Sequence, residues 1–287
     1  MADERIKNIK KPTTFLEQIE RLKSRNLIID DVEKAIGILQ RINYYRLSAY
    51  MLTYKIDDRF RDGVSIEDVH DLYEFDKTLR NLIMEVLETI EIAFRTHIAY
   101  LIAHKYDAIG YKDANNFKKQ EYHVSMMQKL QEEIDRSDEI FVKHYQGVFP
   151  IWVVIELTSF GLLSKIYSNL KDEDQDEIAI NNYGIKGEFI RTWTYSLAAF
   201  RNICAHYGRI YDRKITIRPK MFREDKKKGI KNDTVFAIIL IIGKMLKNDD
   251  EWDRFAIRLS ALIERYDKID ISRIGFPNNW EYILRNL

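Results

Sequence analysis

The feature that most restricts the fold is a long stretch in which apolar residues recur at intervals of three and four. It opens at Ser65 and continues towards Tyr106, and its apolar positions include Leu72, Phe75, Leu79, Leu82, Val86, Ile90, Phe94 and Leu101. This spacing puts the apolar side chains on one face of a helix with 3.6 residues per turn. We therefore expect a long amphipathic helix, with a break along its length.

Scarce turn residues favour helices elsewhere as well, since only 11 Gly and 4 Pro occur among 287 residues. Capping signals and periodicity predict further helices at 14–24, 30–42, 116–136, 151–170 (interrupted by Gly161), 188–206, 234–247 and 252–266. Only 211–219 alternates as a strand does, while 226–229 is expected to be a mobile loop tip. The sequence predicts one all-α domain, 1–287, with N-terminal helices 1–64 packed on a core of 65–287 and one small β-hairpin.

Charge and cysteine content limit the class of protein. Basic and acidic residues nearly cancel, giving a net charge of +1, so a nucleic-acid partner would need a local basic patch. A single cysteine, Cys204, excludes an internal disulfide. The charged start at Met1–Arg5 lacks the apolar core of a signal peptide, and the apolar run Val235–Ile242 is shorter than the roughly 20 residues of a membrane span. We expect a cytosolic protein that does not enter a membrane.

The predicted helix 188–206 carries the candidate catalytic side chains. Its apolar residues Phe189, Trp193, Leu197, Phe200 and Cys204 share an arc about 80° wide. Arg201 lies at the border of that arc, and Asn202 and His206, four residues apart, lie together on the opposite, polar side. The helix therefore buries one face and presents an Arg, an Asn and a His near its C-terminal end, with Gly208 as the expected stop.

These residue types suit RNA cleavage by attack of a ribose 2′-hydroxyl on the neighbouring phosphate. Imidazole exchanges protons near neutral pH, with an ordinary pKa of about 6.5. A guanidinium stays charged and fits phosphate oxygens with two parallel hydrogen bonds. The Asn side chain could orient the imidazole or contact RNA, and the chemistry requires no metal ion.

The spacing alone does not identify an active site. An Arg followed four to six residues later by a His arises about once by chance in a chain with six His residues. A His at the C-terminal end of a helix is also favourable through the helix dipole alone.

The surrounding residues are more specific. The segment Phe200–Arg209 resembles the signature helix of the HEPN superfamily, in the form carried by abortive-infection Abi proteins of the AbiD/AbiF-like family. Five further segments resemble landmarks of that family in the same order: Ile42–Tyr50, Tyr73–Arg80, Glu88–Thr96, Pro150–Gly161 and Gly275–Trp280.

The resemblance implies a HEPN-type helical bundle with additional N- and C-terminal helices. It also implies a homodimer in which two motifs face each other across a shared cleft. Arg201 and His206 would be the catalytic pair of a metal-independent endoribonuclease without a cofactor, supported by Asn202. Members of the family act as toxins that stop growth after phage infection, and a structured noncoding RNA antitoxin restrains some of them.

One departure bears on regulation. HEPN toxins controlled by nucleotidyltransferase antitoxins have a Tyr two residues after the His, and that Tyr is the group modified. Here Tyr207 follows His206 directly and Gly208 occupies the Tyr position. This departure disfavours control by modification and favours an RNA antitoxin or another partner.

A basic segment with interleaved aromatic residues follows the motif. Phosphate contacts and stacking faces are what single-stranded RNA binding uses. The residues we expect to contact RNA are Tyr207, Arg209, Tyr211, Arg213, Lys214 and Arg218. An ordinary solvated charged loop is the alternative.

Three charged residues on the long helix admit two interpretations. Glu88, Glu91 and Arg95 are spaced three and four apart, as in an internal salt-bridge ladder. They would alternatively support Arg201 inside the bundle. The residues His97, His104, His123 and His144 show no metal-ligand spacing, and we expect no metal site.

Two functional hypotheses follow. The first is a HEPN-type endoribonuclease toxin of phage defence. The alternative is a non-catalytic RNA-binding or scaffold protein of the same fold that acts through a partner. Turnover by the purified protein would separate them.

Overall fold

Helices account for nearly all the regular structure in the part of the chain that the computed structural model describes, residues 11–145, 147–246 and 248–287. Those residues form fourteen α-helices and one two-stranded antiparallel sheet. The predicted all-α class is confirmed, although the one small hairpin lies at Lys55–Phe60 and not in the segment 211–219 that suggested it. Two predicted features, the charged start of the chain and the end of a helix at Lys247, lie outside the described residues.

The chain divides into two compact units, Met1–Thr78 and Leu79–Leu287. The boundary falls inside the long helix rather than at the predicted position 64, and the prediction of one domain stays a prediction. The described elements of the first unit are α1 (Phe15–Lys23), α2 (Val32–Arg41), α3 (Tyr44–Met51), β1 (Lys55–Ile56), β2 (Arg59–Phe60) and the start of α4 (Ile66–Tyr106), with a 3-10 turn at Leu52–Tyr54.

Local capping explains where the first helices begin. Thr14 accepts a hydrogen bond from the Glu17 N–H, and the Glu17 carboxylate accepts one from the Thr14 N–H, which makes the predicted capping box. Asp31 accepts from the Lys34 N–H (2.9 Å) at the start of α2, as expected. The short hairpin turns through Asp57, whose positive φ of 55° is tolerated by an aspartate.

Helix α4 is one unbroken helix of 41 residues, so the predicted break is wrong. No Gly or Pro occurs between Ile66 and Tyr106 to interrupt the backbone hydrogen bonds. Its periodic apolar residues are buried, as predicted. Within the first unit, the buried carboxylate of Asp76 on α4 accepts a hydrogen bond from the Tyr50 hydroxyl (2.8 Å).

The second unit contains the rest of α4 and ten further helices among the described residues. They are α5 (Gln120–Arg136), α6 (Ile140–His144), α7 (Ile151–Val154), α8 (Phe160–Asn169), α9 (Asp172–Tyr183), α10 (Gly187–Ala205), α11 (Arg223–Lys227), α12 (Val235–Met245), α13 (Asp249–Arg265) and α14 (Trp280–Arg285), with 3-10 turns at Gly110–Lys112, Ala114–Asn116, Ile155–Leu157 and Ile271–Ile274. Helix α10 packs against α8, α9 and α12, α5 packs against α8, and α13 packs against α14.

The centre of the second unit is built on α10 and α12. Trp193, Leu197, Phe200 and Cys204 on α10 are buried, as the helical pattern predicted. The apolar run Val235–Ile242 is buried on every side of α12, which explains its composition as that of a core helix. No helix among the described residues is both long and apolar enough to span a bilayer.

Three local predictions are wrong. Residues 211–219 form no strand, since Tyr211 and Ile215 are buried in an irregular segment and the Ile215 N–H donates to the Asp233 carbonyl (2.8 Å). The expected loop tip at 226–229 is loop only in its second half, because Lys226 and Lys227 are the last residues of α11 and only Lys228 and Gly229 form the turn. The helix expected over 151–170 breaks at Thr158 rather than at Gly161, because Ser159 caps a new helix there.

Candidate active site

His206 occupies the capping residue at the C-terminal end of α10. The next two residues close a Schellman motif: the Tyr207 N–H donates to the Cys204 carbonyl (3.0 Å), and the Gly208 N–H donates to the Ile203 carbonyl (2.8 Å). Gly208 was expected to end the helix, but the residue that turns the chain out of the helix is Tyr207, one position earlier. Tyr207 itself takes the left-handed position, with φ of 57°.

The left-handed Tyr207 is under strain. That position is usually glycine, and a residue with a Cβ pays roughly 1–2 kcal/mol to adopt it. The Tyr207 side chain is 68% exposed, so deep burial of the ring does not account for its presence. Strained backbone of this kind clusters at functional sites, which makes the turn after His206 a candidate.

Gly208 holds this turn close to the helix. A Cβ at this position would lie 2.9 Å from Cγ2 of Ile203 and 3.0 Å from its carbonyl oxygen. Because both distances are shorter than ordinary contacts, only glycine allows the chain to pass so near. The path of the backbone through His206, Tyr207 and Gly208 is thereby fixed.

Arg201 forms an ion pair with a carboxylate on α4. Its Nε lies 3.8 Å from Oε2 of Glu91, and its side chain remains 38% exposed. Oε1 of Glu91 accepts a hydrogen bond from Nη2 of Arg95 (2.5 Å), and the same Nη2 donates to the carbonyl of Thr158 (2.7 Å). Glu91 thus joins Arg95, which is anchored to the backbone before α8, to Arg201 at the surface.

Burial raises the pKa of Glu91 above its ordinary value. The neighbouring Arg95 and Arg201 act in the opposite direction, and the charge of Glu88 adds to the increase. Glu88 itself is exposed. The geometry supports both interpretations of these residues. Glu91 and Arg95 form the ion pair expected within the helix, and Glu91 also contacts Arg201.

Asn202 and His206 lie on the exposed face of α10, as the helical pattern predicted. The half-exposed ring of Tyr195 and the small side chain of Ala199 continue this face towards the start of the helix. Arg201 and His206 are separated by about 140° around the axis and about 8 Å along it. One copy of α10 therefore presents its guanidinium and its imidazole in different directions.

The basic segment after the motif is largely exposed. The side chains of Tyr207, Arg213, Lys214 and Arg218 are at the surface, and Arg209 is half-buried. Nη1 of Arg213 donates to the Arg209 carbonyl (3.0 Å), and Arg218 lies 3.6 Å from the Asp233 carboxylate.

Tyr211, which we expected to contact RNA, is buried. Its side chain is 2% exposed, and its hydroxyl donates to the carbonyl of Asp270 (2.8 Å). The ring is packed in the core and offers no face for a base, so the structure does not support its predicted role. Its alternation with charged neighbours signalled burial rather than RNA contact.

A cavity of about 470 Å³ opens beside this segment. Its charged lining residues are Arg213, Lys214, Lys231, Arg273, Asp212 and Asp233. Arg273 donates to both Asp212 oxygens (2.8 and 2.6 Å), which leaves an excess of cations suited to phosphate. Sequence reasoning missed Arg273, although the Gly275–Trp280 landmark lies just beyond it.

The other histidines have structural contacts. Nδ1 of His97 lies 3.1 Å from the Tyr183 hydroxyl, and Nε2 of the buried His123 lies 2.9 Å from the Tyr111 carbonyl. His104 stacks on Tyr100 with 3.9 Å between ring centroids. No group of three or more His, Cys, Asp or Glu residues that could hold a metal ion occurs in the described ranges.

One family model matches the chain, that of the Abi-like proteins, over residues 37–212. This range contains α10, Glu91 and all the landmark segments except the C-terminal one. No curated protein and no solved structure shows significant similarity to the chain. Because the matched range is more than half of the 287 residues, the chain belongs to the family of Abi-like proteins.

Proposed function

We propose that this protein is a metal-independent endoribonuclease toxin of HEPN type, acting in abortive infection, with Arg201 and His206 as its catalytic residues. The observation that carries the proposal is the end of α10. There Arg201, which contacts the buried Glu91, and the exposed His206 lie five residues apart at the C-terminal end of one helix, just before a strained turn. Membership of the Abi-like family supports the role in phage defence.

The proposed reaction is an internal displacement at phosphorus. The ribose 2′-oxygen forms a bond to phosphorus as the bond from phosphorus to the 5′-oxygen breaks. The proton of the 2′-hydroxyl passes to one imidazole, and a second acid protonates the leaving 5′-oxygen. Arg201 stabilises the charge that develops on the phosphate oxygens. The products carry a 2′,3′-cyclic phosphate and a free 5′-hydroxyl.

A homodimer fits this chemistry better than one copy. One His206 cannot accept a proton and donate another in the same displacement, whereas two copies supply two imidazoles. The side chains of Asn202 and His206 are exposed at the C-terminal end of α10, which leaves them accessible to the same end of a second copy. In this arrangement Asn202 orients the imidazole or contacts RNA at the shared cleft.

The basic cavity after α10 would bind phosphates flanking the scissile one. Tyr207, Arg209, Arg213, Lys214 and Arg218 remain in the proposed RNA surface, to which the structure adds Lys231 and Arg273. The same surface is available to a structured noncoding RNA antitoxin. Control through such an RNA agrees with the absence of a tyrosine two residues after His206.

The alternative, a non-catalytic RNA-binding or scaffold protein, is favoured by one observation. The guanidinium of Arg201 and the imidazole of His206 diverge within one copy, so an unpaired copy does not form a complete site.

The first test is to sequence RNA ends after expression of wild type, Arg201→Gln and His206→Ala in cells. With wild type we expect growth arrest and new RNA ends that carry a cyclic phosphate or a 5′-hydroxyl. In each variant the number of these new ends should fall at least a hundredfold, and growth should continue. Purified wild type should cleave RNA in the presence of EDTA. His104→Ala is the matched control, since this exposed histidine stacks on Tyr100 outside the site.

A fully toxic Arg201→Gln, His206→Ala double variant would contradict the catalytic assignment. RNA binding without turnover by purified wild type would instead establish the scaffold alternative. Circular dichroism of each variant separates loss of chemistry from loss of fold.

A further inference from the structure

A second groove lies on the exposed side of α5, α8 and α10, away from the end of α10. It has a volume of about 490 Å³. Its lining side chains are Tyr122, Ser125, Met126 and Lys129 of α5, Leu162, Ser164, Lys165, Ser168 and Asn169 of α8, and Tyr195 of α10. None of the predicted catalytic or RNA-contacting residues is among them. We call it the α5–α8 groove.

The lining has the charge and the aromatic side chains expected of a site for a phosphorylated aromatic ligand. It contains two lysines, Lys129 and Lys165, and no carboxylate. Both lysines are exposed, and neither forms an ion pair with a carboxylate of any described residue. A groove that combines positive charge with exposed rings is complementary to a polyanion with flat bases.

Two tyrosines supply stacking surfaces. The Tyr122 side chain is 55% exposed and the Tyr195 side chain 49% exposed. Nζ of Lys119 lies 4.9 Å from the centroid of the Tyr122 ring, so a cation already covers part of that ring. Tyr195 is therefore the better platform for a base.

Some polar side chains of the groove already form hydrogen bonds within the protein, and others are accessible to a ligand. Ser164 donates to the Gly161 carbonyl (2.9 Å), and the Asn169 amide bridges both backbone groups of Lys119 (3.0 and 3.1 Å). These bonds fix the groove wall. The hydroxyls of Ser125 and Ser168, on exposed side chains, remain accessible to a ligand.

The groove shares a helix face with the candidate active site. Tyr195, Asn202 and His206 follow one another along the exposed face of α10 at intervals of seven and four residues. Eleven residues separate Tyr195 from His206, which corresponds to about 16 Å along the helix axis. A strand lying along this face would reach both places.

We infer that the α5–α8 groove binds one nucleotide unit of single-stranded RNA, its base stacked on Tyr195 and its phosphate held by Lys129 and Lys165. The inference rests on the proposed function for the source of the RNA. The groove then positions substrate at a distance from the cleaved bond and acts as a specificity subsite, since it can accept or reject a base without taking part in the chemistry.

Binding is measured on the full chain carrying His206→Ala, so that no cleavage occurs, with a labelled single-stranded RNA at several salt concentrations. Replacing both groove lysines, Lys129→Gln with Lys165→Gln, should make the slope of log K against log salt shallower by about 0.7, the contribution of the one phosphate contact that they share. Tyr195→Leu should weaken binding about tenfold with the slope unchanged.

Matched controls change the same residue types outside the groove. They are Lys143→Gln with Lys268→Gln, and Tyr282→Leu, all at exposed positions. These variants should bind RNA with wild-type affinity and slope. If the groove variants bind RNA as the controls do, the inference is overturned.

A separate titration with adenosine and uridine 5′-monophosphates identifies the source of the nucleotide. Mononucleotide binding that is lost in the groove variants, with RNA binding unchanged, would assign the groove to a free nucleotide rather than to a strand. A change in sedimentation mass with both nucleotide assays unchanged would make the groove a protein interface and overturn the inference.

The two proposals fail separately. If wild type does not cleave RNA but the groove variants lose RNA binding, the proposed function fails and the groove assignment stands. If wild type cleaves and the groove variants bind and cleave equally well, the groove assignment fails while the proposed function stands.

Discussion

The contact between Glu91 and Arg201 shows what residue spacing can and cannot predict. The four-residue interval between Glu91 and Arg95 predicts their ion pair, which is present at 2.5 Å. The approach of Arg201, 3.8 Å from the same carboxylate, depends on how α10 lies against the rest of the second unit. No periodicity within one helix contains that information, so the sequence left two interpretations open.

Glu91→Gln tests the role of this carboxylate through pH. Burial raises the pKa of Glu91, so between its ordinary value and the raised one the folded protein binds more protons than the unfolded chain. The free energy of unfolding of wild type should therefore fall, relative to the variant, as pH rises through that interval. Chemical denaturation at a series of pH values measures this difference.

The same variant should lower kcat for RNA cleavage about tenfold or more, because Arg201 loses the group that positions it. The exposed Glu121→Gln is the matched control and should change neither quantity. Equal pH dependence in wild type and Glu91→Gln would show that Glu91 does not titrate as argued. An unchanged kcat would remove its positioning role.

At the scale of elements, local signals located most helices but not all. Capping residues such as Thr14 and Asp31 marked the correct starts because a cap is a contact within one turn. Helix α9 was missed because Asp172–Tyr183 has no clear apolar face and buries polar side chains, among them Asp174 and Gln175. Its helicity depends on tertiary hydrogen bonds such as that from Lys105 to Asp174 (2.6 Å).

The end of α10 gives a prediction at this scale. Tyr207→Val should unfold more readily than Tyr207→Asn by about 1 kcal/mol or more, because asparagine tolerates the left-handed conformation and a β-branched residue does not. Tyr207→Gly should be at least as stable as Tyr207→Asn. Thermal and denaturant unfolding of the three variants gives the order.

These variants also separate strain from RNA contact. If the exposed ring of Tyr207 contacts RNA, Tyr207→Gly should bind RNA several-fold more weakly than wild type although its fold is intact. Tyr207→Phe keeps a ring and should bind as wild type does. Equal stability of the Val and Asn variants would mean that the left-handed turn does not form in solution.

At the scale of the whole molecule, the distribution of charge over the surface matters more for RNA binding than the net charge does. The net charge of +1 provides no long-range attraction for RNA. Two cationic surfaces nevertheless occur in the second unit, the cavity that Lys214, Lys231 and Arg273 help to line and the α5–α8 groove. Sequence reasoning located the first from a run of basic residues. The second joins side chains from three helices, which no single segment reveals.

The proposed dimer predicts how active and inactive chains behave when mixed. If two His206 imidazoles are needed in one cleft, a dimer of one wild-type and one His206→Ala chain is inactive. The cleavage rate should then follow the square of the wild-type fraction, and an equal mixture should retain about a quarter of the activity rather than half. Chains are unfolded and refolded together, so that protomers exchange, before initial rates are measured on a labelled RNA.

Mixtures with His104→Ala, refolded in the same way, should keep full activity. A rate that falls in direct proportion to the wild-type fraction would mean that each copy carries a complete site, and the proton acceptor and donor would then have to be sought within one chain.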